Sequence, residues 1–357
     1  MDSKDCSSIG LLNMFTHPVF QVKDEIIVAA NQSAQALQIP ENRSVFEIIR
    51  SGQDAYSDFV EGCLSITVGV GPVNFIASVV RVDSIDFFHL QSGNEANDLQ
   101  ALALASQHLR DPLSNVIALT DSLCIADEDS MDKVRSLRVS QLNQNLHRLL
   151  RSVGNMSDAY SCADKINNME TLNISAVLRE AVEKTMQHQY LDKPRFEFMD
   201  QSSDLIGTAD RDLLERAALN LLSNALRYSD PQSTIKVSIR NEKNRAIFTV
   251  ENDCMDLTPE TLSTIFFQYR RTPSIFDGGK GLGLGLSIVQ AAASAHKGSV
   301  LVTMPKKNTL RFCLTIPVSQ NKNCNLSSPL IRPDYTGGFD RSLIELSDVL
   351  PSEAYKN

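Results

Sequence analysis

The chain lacks several features that would have settled its class at once. No apolar run approaches the roughly 18 residues a membrane helix needs, so no membrane insertion is expected. The opening stretch, Met1 to Gly10, is acidic and polar instead of basic and then apolar, which gives no expectation of a secretory leader. The seven cysteines (6, 63, 124, 162, 254, 313 and 324) are odd in number and form no C-x-x-C pair. They suit reduced thiols in a cytoplasmic protein and argue against a zinc centre. Excess positive charge is missing too. A formal net charge of −9 makes nucleic acid or an anionic membrane a poor partner. What remains is an ordinary soluble composition, 42% apolar and 22% charged, over 357 residues that suit two or three domains.

The first hundred residues alternate short elements. Phe20-Gln21-Val22 and Glu25-Ile26-Ile27-Val28 read as strands around a tight turn at Lys23-Asp24. Helical segments are expected near Asn31–Leu37 and Ser44–Arg50, then strands near Leu64–Val68, Asn74–Val82 and Ile85–Leu90. An α+β domain over 1–95 follows, suited equally to interaction with a protein or to sensing a ligand.

From Leu99 the pattern changes. Leu99, Leu102, Ser106, Leu109, Leu113, Val116, Thr120 and Leu123 are spaced as a heptad seam. The acidic run Ala126–Ser130 breaks it, and Val139, Leu142, Leu146, Leu149, Val153, Met156, Tyr160 and Ala163 form a second seam. Two such helices make an antiparallel hairpin over 96–166. A lone hairpin leaves its stripe half covered, so a homodimer closing a four-helix bundle is expected.

Over 167–318 helices and strands alternate. Helices are expected at Ser175–Gln187, Arg211–Tyr228 and Pro259–Phe267, and strands at Arg195–Phe198, Thr234–Arg240, Ala246–Glu251, Ser299–Met304 and Thr309–Ile316. The clearest β signal is the hairpin turning at Asn241–Asn244. Residues 319–357 are a tail rich in Ser, Asn, Pro and Gly. Its amphipathic run Leu343, Ile344, Leu346, Val349 and Leu350 reads as one short helix docked on a neighbour, with a disordered tail as the alternative.

Five of the sixteen glycines fall between Gly278 and Gly285, directly before an apolar, Ala-rich helix, Leu286 to Ala295. Such a loop brings bare backbone N–H groups to a helix N-terminus, where the dipole favours phosphate. Upstream, Asn220 and Asn224 stand at i and i+4 on one helix. A carboxamide oxygen is a hard ligand suited to Mg²⁺, and the nearby Arg227 suits phosphate.

At this point the chain resembles the sensor histidine kinases. Their ATP-binding domain is of the GHKL type shared with type II topoisomerases and Hsp90 chaperones. Leu219–Ser229, with Asn220, Asn224, Arg227 and Tyr228, is similar to the family's N-box, which implies Asn224 as the Mg²⁺ ligand. Ile265–Arg271 resembles the F-box of the mobile lid. Gly279, Gly281, Gly283, Gly285 and Leu286 resemble the second glycine box, and Ala295-His296-Lys297-Gly298 a turn entering a strand. The resemblance runs from the hairpin to Val318. It implies a multidomain α+β chain: a PAS-like sensor domain, a HisKA-type dimerisation hairpin and an α/β-sandwich domain that binds ATP and Mg²⁺.

Two departures qualify what the resemblance implies. The family's phosphoacceptor motif reads Ser-His-Glu-Leu-Arg-Thr-Pro-Leu, whereas this chain reads Ser106-Gln107-His108-Leu109-Arg110-Asp111-Pro112-Leu113. Gln107 stands at the nucleophile position, and a carboxamide forms no stable phosphoramidate. His108 would be displaced by about 100° and about 1.5 Å along a helix, a severe shift for in-line transfer. The first glycine box is altered as well. Asn252 stands where an Asp takes the adenine amino group, and Cys254 and Asp256 replace two glycines. Asn252 keeps an acceptor oxygen, and Asp253 would serve if the loop slipped by one residue.

The expectation is a cytoplasmic, homodimeric signalling protein of the histidine-kinase type that binds ATP and Mg²⁺ but is degenerate in autophosphorylation. The alternatives are an active kinase passing phosphate through His108 to a response regulator, and a non-catalytic scaffold for a partner histidine kinase.

Overall fold

In the computed structural model the described residues are 12, 15, 17–91, 109, 113, 115–116, 118–120, 131–161, 169–188, 195–230, 232–254, 262, 265–266, 284–318 and 340–356. The N-terminal elements are β1 (Val19–Lys23), β2 (Ile26–Ala30), α1 (Gln32–Ala36), β3 (Ile49–Ser51), α2 (Gln53–Ser57), β4 (Cys63–Val70), β5 (Val73–Val82) and β6 (Ile85–Leu90). Phe20, Ile27, Leu64, Ile66, Val79 and Phe88 form the centre of their core, all at or below 2% exposure. Asn31 caps α1 by accepting from the Ala34 amide at 2.9 Å, and the same oxygen accepts from the Val19 amide.

Two local expectations are corrected. The β1–β2 turn sits at Asp24 and Glu25, both with positive φ, one residue later than the sequence pattern suggested. Ser44–Arg50 is not a continuous helix. It makes only a 3₁₀ turn, Val45–Glu47, and then becomes β3, because Ile49 and Ser51 find backbone partners at Val68 and Thr67 of β4.

The long helix α3 (Met131–Ser161) carries the second seam from Val139 to Tyr160; Ala163 lies outside the described residues. The first seam helix and the loop after it fall largely outside the described residues. After α3 come β7 (Glu170–Asn173), α4 (Ile174–Gln187), β8 (Arg195–Asp200), β9 (Ile206–Ala209), α5 (Arg211–Tyr228), β10 (Thr234–Glu242), β11 (Arg245–Asp253), α6 (Gly285–Ala295), β12 (Ser299–Lys306), β13 (Thr309–Pro317) and α7 (Arg341–Glu345). The short β7–β9 pair was not foreseen; four residues each is too little pattern to read. The β10–β11 loop is two residues, Lys243-Asn244, both with positive φ, so Asn241 and Glu242 stay in the ladder.

The alternation in β10 to β13 puts Ile235, Val237, Phe248, Val250, Phe312, Leu314, Val300 and Val302 on one face. Helices α4, α5 and α6 cover that face and complete the second core. The two layers are not separate sheets. Cys63–Ser65 of β4 pair antiparallel with Val302–Val300 of β12, giving one eleven-stranded sheet in the order β2-β1-β6-β5-β4-β12-β13-β11-β10-β8, with β3 on β4. Gly62 permits this junction: its φ is +98°, and a Cβ there would stand 2.1 Å from the Val302 carbonyl oxygen.

Polar contacts reinforce the seam. Gln290 of α6 donates to Ser65 Oγ at 2.9 Å, and Gln91 donates to Gln290 Oε1 and to the Phe266 carbonyl, both at 3.1 Å. Cys63 lies in the second core, where burial pushes its thiol up to about 12. Among the described residues Cys63, Cys254 and Cys313 are free thiols.

Candidate functional site

Helix α5 is where the chemistry-bearing residues converge. Asp210 starts it by accepting from the Leu213 amide at 3.0 Å, and Arg227 lies in its last turn, where a cation suits the carbonyl end of the dipole. Leu214, Ala218, Leu221 and Leu222 seat the helix on the sheet. Asn220 is fully buried and committed on every polar atom. Its Nδ2 donates to the Arg216 carbonyl at 2.9 Å and to Glu345 Oε2 at 3.2 Å, while Oδ1 accepts from Arg151 Nη2 at 3.2 Å. Asn224, one turn on, is half-buried at the rim of the helix packing.

Helix α6 runs antiparallel alongside α5, with its start against Asn220 and its end at Asp210. Gly285 is its first residue, and a Cβ added there would lie 2.8 Å from Asn220 Oδ1. Leu284 at the start of α6 makes no side-chain cap hydrogen bond, whereas Asn173 and Asp210 cap α4 and α5. Leu284 therefore gives the first-turn amides of α6 no side-chain acceptor of the kind found at the neighbouring helices. At its other end His296 is buried, with Nε2 accepting from the Asp210 amide at 2.9 Å and Nδ1 donating to the Ala292 carbonyl. Burial holds its pKa below the ordinary histidine value, against the pull of that carbonyl and of Asp210.

Arg227 places its guanidinium 5.5 Å from the centre of the Tyr228 ring and 3.9 Å from Asp348 Oδ2. On β11, Asn252 shares the core-facing side with Val250, is 3% exposed, and donates to Cys254 Sγ at 3.4 Å. Asp253 turns the other way and accepts from Thr309 Oγ1 at 2.7 Å. Of the two, Asn252 is on the side of α5 and α6. A cavity of about 620 Å³ opens beside Asp253, walled by Glu197, Lys236, Glu251 and Lys306. Asn252 also lines it, and among the described residues none of its walls comes from α5 or α6.

Residues 209–320 match the family of histidine kinase-, DNA gyrase B- and HSP90-like ATPases. A stretch of 222 residues is 32% identical to the sensor histidine kinase CusS of Escherichia coli strain K12, covering 59% of this chain and 44% of CusS. Residues 209–320 thus carry a domain of that ATPase family, and the likeness to sensor histidine kinases extends beyond it. Over 251 residues the chain is also 26% identical to a bacteriophytochrome of Pseudomonas aeruginosa, covering 69% of this chain and 33% of that protein. Among solved structures, the histidine kinase AdeS of Acinetobacter baumannii aligns with 59% of this chain and 98% of its own, at 19% identity and a TM-score of 0.44. The chain spans less than half the length of these curated relatives.

The structure describes only part of the expected site. Asn220, Asn224, Arg227, Tyr228, Asn252, Gly285 and Leu286 are in view. Gln107, His108, Arg110, Gly279, Gly281 and Gly283 lie outside the described residues. Three residues were missed from the sequence: Arg151 of α3, and Glu345 and Asp348 of the C-terminal segment, which all reach α5. The usable signal was the pair Glu345 and Asp348, three apart beside an amphipathic run. No helix among the described residues is long and apolar enough to cross a membrane.

Proposed function

We propose that this chain is a signalling protein that binds ATP with Mg²⁺ between α5 and α6, and that it acts by conformation or partner contact instead of ordinary autophosphorylation. The carrying observation is the N-terminus of α6, which Leu284 leaves without a side-chain cap and Gly285 brings directly against the Asn220 turn of α5. A helix start without a capping side chain, fed by a glycine loop, suits a phosphate group. Around it, Asn224 offers a carboxamide oxygen to Mg²⁺, Arg227 a guanidinium to phosphate, and Asn252 an acceptor to the adenine amino group. Mg²⁺, when bound, would offset the charge of the phosphate groups.

The degenerate reading rests on Gln107, whose carboxamide cannot serve as the phosphoacceptor. A homodimer is supported by α3, where Val139, Leu146 and Val153 recur at heptad spacing and remain 36%, 41% and 54% exposed. A response regulator or a partner histidine kinase would meet this hairpin.

Calorimetric titration with ATP and Mg²⁺ tests the site. Wild type is expected to bind, and Asn224→Ala and Gly283→Ala to bind weakly or not at all; equal affinities in all three would refute the assignment. Labelled γ-phosphate tests the chemistry. The expected result is no incorporation, and labelling abolished by His108→Ala would restore the active-kinase alternative.

A further inference from the structure

The C-terminal segment 340–356 does more than cover a core. It is fixed at its start by Asp340, which caps α7, and by Arg341, which reaches Asp212 Oδ1 at 2.9 Å and Glu215 Oε2 at 2.7 Å. Ile344, Leu346, Leu350 and Tyr355 are buried, at most 3% exposed. Helix α3 then satisfies the backbone of the segment: Gln144 donates to the carbonyls of Ser347 and Leu350, Asn143 to that of Tyr355, and Arg148 to that of Ser347. So many main-chain contacts indicate a built docking groove.

The acidic side chains of the segment enter between α3 and α5. Glu345, fully buried, lies 3.0 Å from Arg216 Nε and 3.3 Å from Arg151 Nε. Asp348 lies 3.0 Å from Arg151, 3.6 Å from Arg148 and 3.9 Å from Arg227. Four guanidiniums from two helices thus converge on two carboxylates. Arg151 is common to both, and it also bonds Asn220 and Ser223 of α5. Both carboxylates of this cluster come from the C-terminal segment.

We propose that residues 340–356 are an acidic clasp that fastens the hairpin helix α3 to the ATP-binding domain, and that nucleotide phosphates compete with Asp348 for Arg227. The competition rests on the nucleotide reading above. Arg227 is one helical turn past Asn224, and a phosphate arriving there meets the like charge of Asp348 on the same guanidinium. Clasp and nucleotide are then negatively coupled, and linkage makes the coupling reciprocal. Closure holds α3 and α5 as one body; release frees the hairpin to move against the domain.

The test uses the full chain with the Mg²⁺ complex of a non-hydrolysable ATP analogue, read by calorimetry and by hydrogen exchange. In wild type, analogue binding is expected to speed exchange over 341–356. Asp348→Asn is expected to bind the analogue at least about threefold more tightly, because a larger fraction of molecules is competent before ligand arrives. Arg341→Gln, which loosens the segment at its start without touching the arginine cluster, is expected to shift affinity the same way. Bound analogue with exchange over 341–356 unchanged or slowed, or unaltered affinity in both variants, overturns the clasp while leaving nucleotide binding intact. Absence of binding in wild type and both variants overturns the nucleotide reading, and the competition with it.

Discussion

Gly285 stands so close to Asn220 that a Cβ on the former would lie 2.8 Å from the carboxamide oxygen of the latter. The approach lets α6 abut α5 at the proposed phosphate position. Gly285→Ala must therefore push α6 outward or turn the Asn220 carboxamide away from Arg151. The expected loss is about 1–3 kcal/mol of stability, the usual cost of overpacking, together with weakened nucleotide binding. Thermal unfolding and calorimetry of the variant check this, and an unchanged melting temperature would show that the helices have slack.

Burial should separate the ion pairs of this protein sharply. Glu345→Ala leaves Arg151 and Arg216 without their shared carboxylate in a site closed to water, and a loss of about 3–5 kcal/mol is expected. Glu47→Ala breaks an i,i+4 pair with Arg43 whose side chains are 52% and 65% exposed, and should cost under about 0.5 kcal/mol. Urea unfolding of the two variants side by side decides it.

Acid sensitivity should begin near neutrality. Burial depresses the pKa of both His296 and His188, with the Ala292 carbonyl and Asp210 opposing at His296 and Asp340 at His188. The folded state keeps each ring neutral, so the unfolded chain binds the extra proton. Stability is complete above the ordinary value of 6.5 and falls as the pH drops from there through the depressed folded values. The slope should reach up to about 1.4 kcal/mol per pH unit for each histidine inside that window. Melting temperatures between pH 8 and pH 5 (about three units, spanning the window) should flatten in His296→Gln.

The junction between the two layers should be breakable at one point. Gly62→Ala strains a residue with φ +98° and drives a methyl group to 2.1 Å from the Val302 carbonyl oxygen. One calorimetric transition is expected for wild type, because β4 and β12 share a ladder, and two for the variant, one for each core. A single unshifted transition in Gly62→Ala would mean that the pairing does not couple the layers.

How much of this could be read beforehand follows the range of the interactions. Strong local patterns such as the 3.6-residue period of α5 and the alternation of β10 and β11 foretold their elements to within a residue or two. The exchange of Ser44–Arg50 from helix to β3 was not visible, because the edge of β4 that recruits Ile49 is supplied by distant sequence. The same holds for the site. Asn220 and Asn224 were identified from their i,i+4 spacing, yet nothing local shows that Asn220 is consumed by Arg151 and Glu345 while Asn224 stays at the rim. Long-range ion pairs leave no periodic trace in the chain that makes them.

The shared sheet also sets an order of events during synthesis. The buried residues of the N-terminal core have all been made once β6 has emerged, but Leu301, which packs against them, and the ladder partner of Cys63–Ser65, Val300–Val302, are made much later, so that end of β4 presents unpaired backbone groups. Until then the nascent chain carries an open strand edge beside buried-type side chains, the kind of surface that recruits other chains. A newborn molecule of this protein is thus most exposed to misassembly between translation of β6 and translation of β12, a window in which chaperone cover would matter most.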